Sequence, residues 1–266
     1  MIHFSIITIT YQAEAVLEKT VESVLEQEYP YVEHLIVDGA SKDRTVAIAE
    51  AYQKRSDEAD NGHTVTITSE PDKGLYDAMN KGLIKATGDY IVFLNAGDFL
   101  PSAHTLETVA ACVGEGEELP AVLYGETDIV DSNYRFLRHR RLKAPKVLNW
   151  RSFRQGMLVC HQAFYARTDL ARTLLYNTSY RHSADVDWCI RVMKGAEQRG
   201  LAIRQVDAVI ANFLAGGDSK QNHRASLNER FKVMRHHYGL FTTVMMHLWF
   251  VVRGIGAKFR HNDMTT

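Results

Sequence analysis

The sequence predicts an α/β domain built on a doubly wound, mostly parallel sheet with an antiparallel extension and helices at its carboxyl-terminal end. Three observations carry this reading. An uninterrupted apolar run, Tyr90-Ile91-Val92-Phe93-Leu94, stops abruptly at Asn95-Ala96-Gly97-Asp98, as a strand buried on both faces does where it meets polar groups. Strand-like and helix-like periodicities alternate four times over roughly the first hundred residues, with short connections between them. From Ala121 onward strand-like segments follow one another closely, which suits antiparallel neighbours.

Each element has its own signal. His3 to Ile9 is β-branched and alternating, hence a strand, and Ala13 to Gln27 places Val16/Leu17, Thr20/Val21 and Val24/Leu25 on one helical stripe. Glu33 to Asp38 is the second strand, and Asp43 to Arg55 the second helix, with Ser41 or Asp43 as its N-cap. Ser56 to His63 is polar and reads as a loop before the third strand, Thr64 to Ser69. Leu75, Ala78, Met79, Gly82, Leu83 and Ala86 form the buried stripe of a third helix, and the fourth strand starts at Tyr90. Ala121 to Tyr124, Glu126 to Val130 and Tyr134 to Arg140 are three further strands.

Composition narrows the chemistry. A net charge of -1 over 266 residues gives no global basis for nucleic-acid binding. The three cysteines, Cys112, Cys160 and Cys189, are widely spaced and unpaired in pattern, which fits a reducing cytosol and no zinc knuckle. No basic, apolar secretion signal opens the chain. Arg224 to Arg260 combines basic residues with the apolar stretch Leu240 to Val252, which is too short to span a bilayer. Two readings of that segment stand: a helix packed on the domain or on a second subunit, or peripheral contact with an anionic membrane surface.

In a parallel sheet the residues ending the first, second and fourth strands share one edge, where ligands of such sheets bind. Thr8, Thr10 and Tyr11 end the first strand, Asp38 the second and Asp98 the fourth. Carboxylates there can accept from a base or ribose, and a tyrosine can stack on a ring, which describes a nucleotide pocket. No G-x-G-x-x-G follows the first strand and no G-x-x-x-x-G-K-[ST] occurs, so a diphosphate would need another counterion, such as a divalent cation held by Asp98. Asp77, Asn80 and Lys81 stand at i, i+3 and i+4 on the polar face of the third helix and can point to the same rim.

Taken together, Ser5-Ile6-Ile7-Thr8-Ile9-Thr10-Tyr11, Val37-Asp38-Gly39-Ala40-Ser41-Lys42-Asp43-Arg44-Thr45, Asp77-Ala78-Met79-Asn80-Lys81-Gly82 and Leu94-Asn95-Ala96-Gly97-Asp98 resemble family 2 glycosyltransferases, with the flavour of bacterial colanic-acid and O-antigen enzymes. The resemblance implies a GT-A fold, Rossmann-like in its sheet, a UDP-sugar donor, Mg2+ or Mn2+, and inversion at the anomeric carbon. It implies that Thr8, Thr10 and Tyr11 line base and ribose, that Asp38 bonds the uracil edge, that Asp72, Asp77 and Asn80 lie toward ribose or sugar, and that Asp98 touches the metal. Two departures stand out: Asn95 and Gly97 leave Asp98 the only acid of its motif, and Gln12 replaces a frequent asparagine.

Over the second half, Ser183-Ala184-Asp185-Val186-Asp187-Trp188 resembles the family's acidic motif, with Asp185 as the catalytic base and Asp187 as its rival. Gly156 to Phe164 resembles the strand entering the acceptor region, so that His161 and Gln162 frame the acceptor, and Phe213 to Ser219 resembles a loop closing over the donor. No Q-x-x-R-W occurs, which favours addition of a single sugar. The expectation is a catalytic domain over residues 1–220, donor half 1–100 and acceptor half 101–220, with a basic, apolar helical segment over 221–266. It would serve a surface polysaccharide or lipid-linked oligosaccharide from the cytoplasm, at the inner membrane face. A catalytically silent nucleotide-sugar scaffold is the competing reading; a nucleotidyltransferase would carry a glycine-rich loop where Thr10-Tyr11-Gln12-Ala13-Glu14 stands.

Overall fold

The computed structural model describes residues 1–114, 116, 118–216 and 223–262. Its first half alternates as expected: β1 (Phe4–Thr10), α1 (Leu17–Leu25), β2 (Val32–Asp38), α2 (Thr45–Ala59), β3 (Thr64–Ser69), α3 (Leu75–Lys85) and β4 (Tyr90–Phe93). After α4 (Thr105–Ala111) come β5 (Val122–Val130), β6 (Phe136–His139), β7 (Phe164–Arg167), α5 (Thr168–Ala171), α6 (Ala184–Arg199) and β8 (Ile203–Leu214). Two helices follow, α7 (His223–Tyr238) and α8 (Leu240–Asn262).

All eight strands join one sheet in the order β3-β2-β1-β4-β7-β5-β6, with β8 on β5. β3, β2, β1 and β4 are parallel; β7 runs antiparallel to both β4 and β5, and β6 antiparallel to β5. Because β2 and β3 lie on one side of β1 and β4 on the other, the winding reverses between β1 and β4. In doubly wound sheets ligands bind outside the carboxyl ends of the strands at such a switch point.

Packing explains why the apolar runs are so complete. Every residue of β1 and β4 is buried, since helices cover both faces of the sheet. On one face Leu17, Val21, Ile36, Ala49 and Tyr52 form a compact cluster under α1 and α2. On the other, α3 lies so close that a Cβ on Gly82 would stand 2.5 Å from Ile7 Cγ2.

Several boundaries differ from the sequence reading. Helix α1 begins at Leu17, not Ala13, because Ala13 and Glu14 give their amides to Thr45 Oγ1 and Asp43 Oδ2 across the rim. Ser56 to Ala59 belong to α2: Ser56 shares the buried face of Ala49 and Tyr52, and the helix ends at Asp60 with φ 47°. The two strands expected around Gly125 are one, β5, which bulges against β8 where a Cβ on Gly125 would sit 2.8 Å from Ala208 O. Gly156 to Ala163 is not a strand. Arg140 takes the carbonyls of Met157 and Leu158, and a 3-10 turn at His161–Ala163 precedes β7. β8 itself was not expected.

Candidate active site

The turn after β4 lies at the carboxyl edge of the sheet, at the switch point. Gly97 adopts φ +97°, where a Cβ would meet Leu214 Cδ2 at 2.8 Å, and its amide donates to Thr20 Oγ1 at 2.8 Å. This turn holds Asp98 almost wholly buried, accepting from Gln162 Nε2 at 2.6 Å and from the Leu214 amide at 3.0 Å. Burial pushes the Asp98 carboxyl up to about 6, against the pull of those two bonds and of nearby His161. Asp98 thus fastens β4 to the acceptor-side turn and to the end of β8.

The neighbouring residue of that turn reaches the second carboxylate. His161 Nε2 lies 3.1 Å from Asn95 Nδ2, and His161 Nδ1 lies 3.5 Å from Asp185 Oδ2. Tyr76 donates to Asp185 Oδ1 at 3.3 Å from the first turn of α3. Burial opposes ionisation of Asp185, but the His161 bond and charge, the Arg230 guanidinium on α7 and the Val186 amide together hold it below the usual carboxylate range. Asp185 begins α6, where helix-terminal amides also favour an anion. One short 3-10 turn therefore bridges Asp98, through Gln162, and Asp185, through His161.

Asp187, the rival base, is committed elsewhere. It accepts from Arg191 Nε at 2.7 Å and from His237 Nε2 at 2.8 Å, and so pins α7 to α6. The expected donor residues divide. Thr8 lies inside the sheet, giving its proton to the Leu94 carbonyl at 2.8 Å and meeting His34 Nε2 at 2.9 Å. His34 meets Tyr52 Oη through its other nitrogen, and burial pushes its pKa down to about 3, so it is a neutral relay in the core. Asp38 is buried and accepts from Thr10 Oγ1, Ser41 Oγ, the Ser41 amide and Ser69 Oγ. A carboxylate has about four lone-pair sites. All of those of Asp38 are filled, so Thr8, Thr10 and Asp38 brace the rim from beneath.

Tyr11, 67% exposed, and Asp72 are the groups that reach the surface of that rim, on either side of Gly39, where any Cβ would collide with Asp72 Oδ2. Asp72 also accepts from the Gly74 amide at 2.7 Å, and Asp77 from the Lys73 amide at 3.0 Å, so both shape the loop into α3. Asn80 clamps the backbone of Tyr176 with both ends of its amide, at 2.7 and 3.0 Å, and ties α3 to the segment between α5 and α6. Asp38 stands two strand spacings from β4, about 10 Å along the rim from the paired carboxylates.

Sequence reasoning missed Tyr76, Arg230 and the amide oxygen of Asn95. The expected buried stripe of the third helix leaves out Tyr76, which in fact lies in it, and Arg230 belongs to a tail with no motif. Asn95 Oδ1, in the turn that carries Asp98, is buried without a hydrogen-bond partner. Among the described residues no three His, Cys, Asp or Glu side chains converge as a metal-binding group. The side-chain oxygens this turn could offer a cation are the Asp98 carboxylate and the free Asn95 oxygen, with other ligands to come from a bound diphosphate. Of the closing loop, Gly217, Asp218 and Ser219 lie outside the described residues.

Comparison with known proteins gives this geometry a family. The model for "Glycosyl transferase family 2" matches residues 5–174. A PGL/p-HBAD biosynthesis glycosyltransferase of Mycobacterium bovis is 35% identical over 211 residues, 79% of this chain and 76% of that protein. The crystal structure of S. aureus TarS 1-349 in complex with UDP-GlcNAc aligns with 88% of this chain at a TM-score of 0.66 and 21% identity, and this chain spans 64% of its length. The mannosyltransferase PcManGT from Pyrobaculum calidifontis, in complex with GDP-Man and Mn2+, aligns at a TM-score of 0.58 and 17% identity, over 97% of this chain and 80% of that one. Both likenesses are of fold, and the fold is GT-A.

Proposed function

Because the chain belongs to glycosyl transferase family 2 and is a glycosyltransferase, we propose that it moves one sugar from a UDP-sugar to a surface polysaccharide or lipid-linked oligosaccharide, with inversion and with Asp185 as base. The observation that carries this reading is the pairing of Asp185 with Asp98 across the His161–Gln162 turn. It sets a carboxylate in the first turn of α6 one short turn away from the carboxylate that follows β4.

In the proposed displacement Asp185 takes the proton of the acceptor hydroxyl as its oxygen bonds to the anomeric carbon. The bond from that carbon to the UDP oxygen breaks on the opposite face, and the electron pair leaves with the diphosphate. Tyr76 and His161 hold the carboxylate in place, and His161 with Arg230 favours its ionised form. Tyr11 and Asp72 are the rim groups open to the nucleoside. Mg2+ or Mn2+, held by Asp98 with Asn95 Oδ1, would neutralise charge growing on the departing diphosphate. Gln162 and His161 border the acceptor side. The reaction is placed in the cytoplasm, at the inner face of the membrane when the acceptor is lipid-linked.

The reduced metal motif favours one second reading, a scaffold that binds nucleotide-sugar without turnover. Release of UDP from a panel of UDP-sugars, with Mn2+ present, separates the two. Transfer or slow hydrolysis that Asp185→Asn abolishes supports the enzyme; binding of UDP by the wild type without any release supports the scaffold.

A further inference from the structure

Helix α8 settles against the body along one side only. Thr243 is fully buried, the Phe231 ring meets His247 at 5.1 Å, and the cavity between α8 and the 3-10 turn Trp150–Gln155 is lined by Arg151, Arg154, Met245, Met246 and Trp249. Contact of Phe231 with His247 across Gly239 makes α7 and α8 an antiparallel hairpin. The opposite side of α8 is bare. Between Leu240 and Val252 all eight exposed side chains are large and apolar, with Phe241 81%, Val252 67%, Val251 60% and Leu248 57% exposed; Met245 and Trp249 also edge the cavity, while the other six do not line it. At 3.6 residues per turn the eight occupy about half the circumference of the helix. A solvent-facing helix would carry its charges there.

Charge identifies what covers this face. From Arg230 to Asn262 the sequence holds six Lys and Arg residues and no Asp or Glu. Lys232 and Arg235 are exposed along the flank of the hairpin, and Arg253 lies over the Trp249 ring at 4.5 Å. Arg154 stacks on Tyr238 at 5.5 Å; Arg151 is paired with Glu197 at 2.6 Å. A second copy of the chain packed symmetrically here would bring these cations onto their own counterparts, with no acid on the hairpin beyond Glu229 to relieve them. A bilayer with anionic headgroups supplies both an apolar layer for the bare face and negative charge for its flanks. No described helix is long and apolar enough to cross a membrane, so the helix would lie along the surface.

We propose that the exposed face of α8, with its flanking Lys232, Arg235 and Arg253, docks the protein on an anionic lipid surface. This does not rest on the transfer reaction, and its failure would leave the role of Asp185 standing. The test is co-sedimentation of the full chain with vesicles of phosphatidylcholine alone and of phosphatidylcholine mixed with phosphatidylglycerol, beside sedimentation equilibrium without lipid. The expected result is partition onto the anionic vesicles about tenfold or more tighter than onto the zwitterionic ones, weakened by salt. The double variant Phe241→Asp, Leu248→Asp, with an unchanged melting curve, should lose that binding, and Lys232→Glu, Arg235→Glu should lose the preference for anionic lipid. Equal binding to both vesicle types, no binding to either, or a lipid-free dimer that Phe241→Asp, Leu248→Asp dissolves would each overturn the proposal.

Discussion

Two carboxylates joined by the His161–Gln162 turn are shifted in opposite directions, Asp98 up and Asp185 down, and their variants should fail differently. Asp185 is kept ionised by His161, Arg230 and a helix amide, so Asp185→Asn should lower kcat by about 10²–10⁴-fold with UDP binding retained. Removing the His161 side chain takes away the foremost support of that charge. The Asp185 pKa then rises, and the acidic limb of the kcat/KM profile should move to higher pH in His161→Ala, a shift that loss of acceptor contacts alone would not produce. Asp98 is pushed up to about 6 by burial, so protons compete for its carboxylate and cation affinity there should weaken progressively as pH falls below that value. Thermal melts with UDP and Mn2+ check this without turnover: the Mn2+-dependent part of the shift should vanish in Asp98→Asn. Residues ending strands could be read from the sequence because the parallel topology fixes their edge. Whether each faces ligand or brace could not, since that depends on side-chain partners such as Ser41 and Ser69 for Asp38.

At the scale of elements, close approach and buried pairing do the positioning. Gly82 lets α3 lie on β1, and with α3 come Tyr76 and the Asn80 clamp on Tyr176. Gly82→Ala should destabilise by about 1–2 kcal/mol in urea unfolding, the cost of crowding exceeding the gain in helix propensity. The Asp187–Arg191–His237 cluster ties α7 to α6, and His237→Ala should cost about 1–3 kcal/mol by leaving a buried acceptor short of a donor. Burial raises the Asp187 pKa, but His237 and Arg191 outweigh it and hold the folded value below the ordinary one. Its contribution is therefore complete above the unfolded carboxylate pKa, about 3.9, and lost as pH falls through the lower folded value. Strands β1 to β4 and their helices were legible because each has a strong period of its own. β8 was not: only partly buried along much of its length, it gains its place from pairing with β5, a long-range contact that no local pattern encodes.

For the whole molecule, one sheet carries both halves of the chain, with its winding reversal between β1 and β4. The doubly wound architecture and the membership of family 2 were legible from motif order. The linkage of Asp98 to Asp185 was not, because it runs through the 3-10 turn at His161–Ala163 where a strand was expected. The central claim is that these two carboxylates serve one sugar transfer. The measurement that tests it most directly is UDP release from UDP-sugars in the presence of Mn2+, comparing the wild type with Asp185→Asn and monitoring UDP binding in both. The account predicts release by the wild type, its loss in Asp185→Asn, and equal UDP binding; release that survives in Asp185→Asn would contradict it.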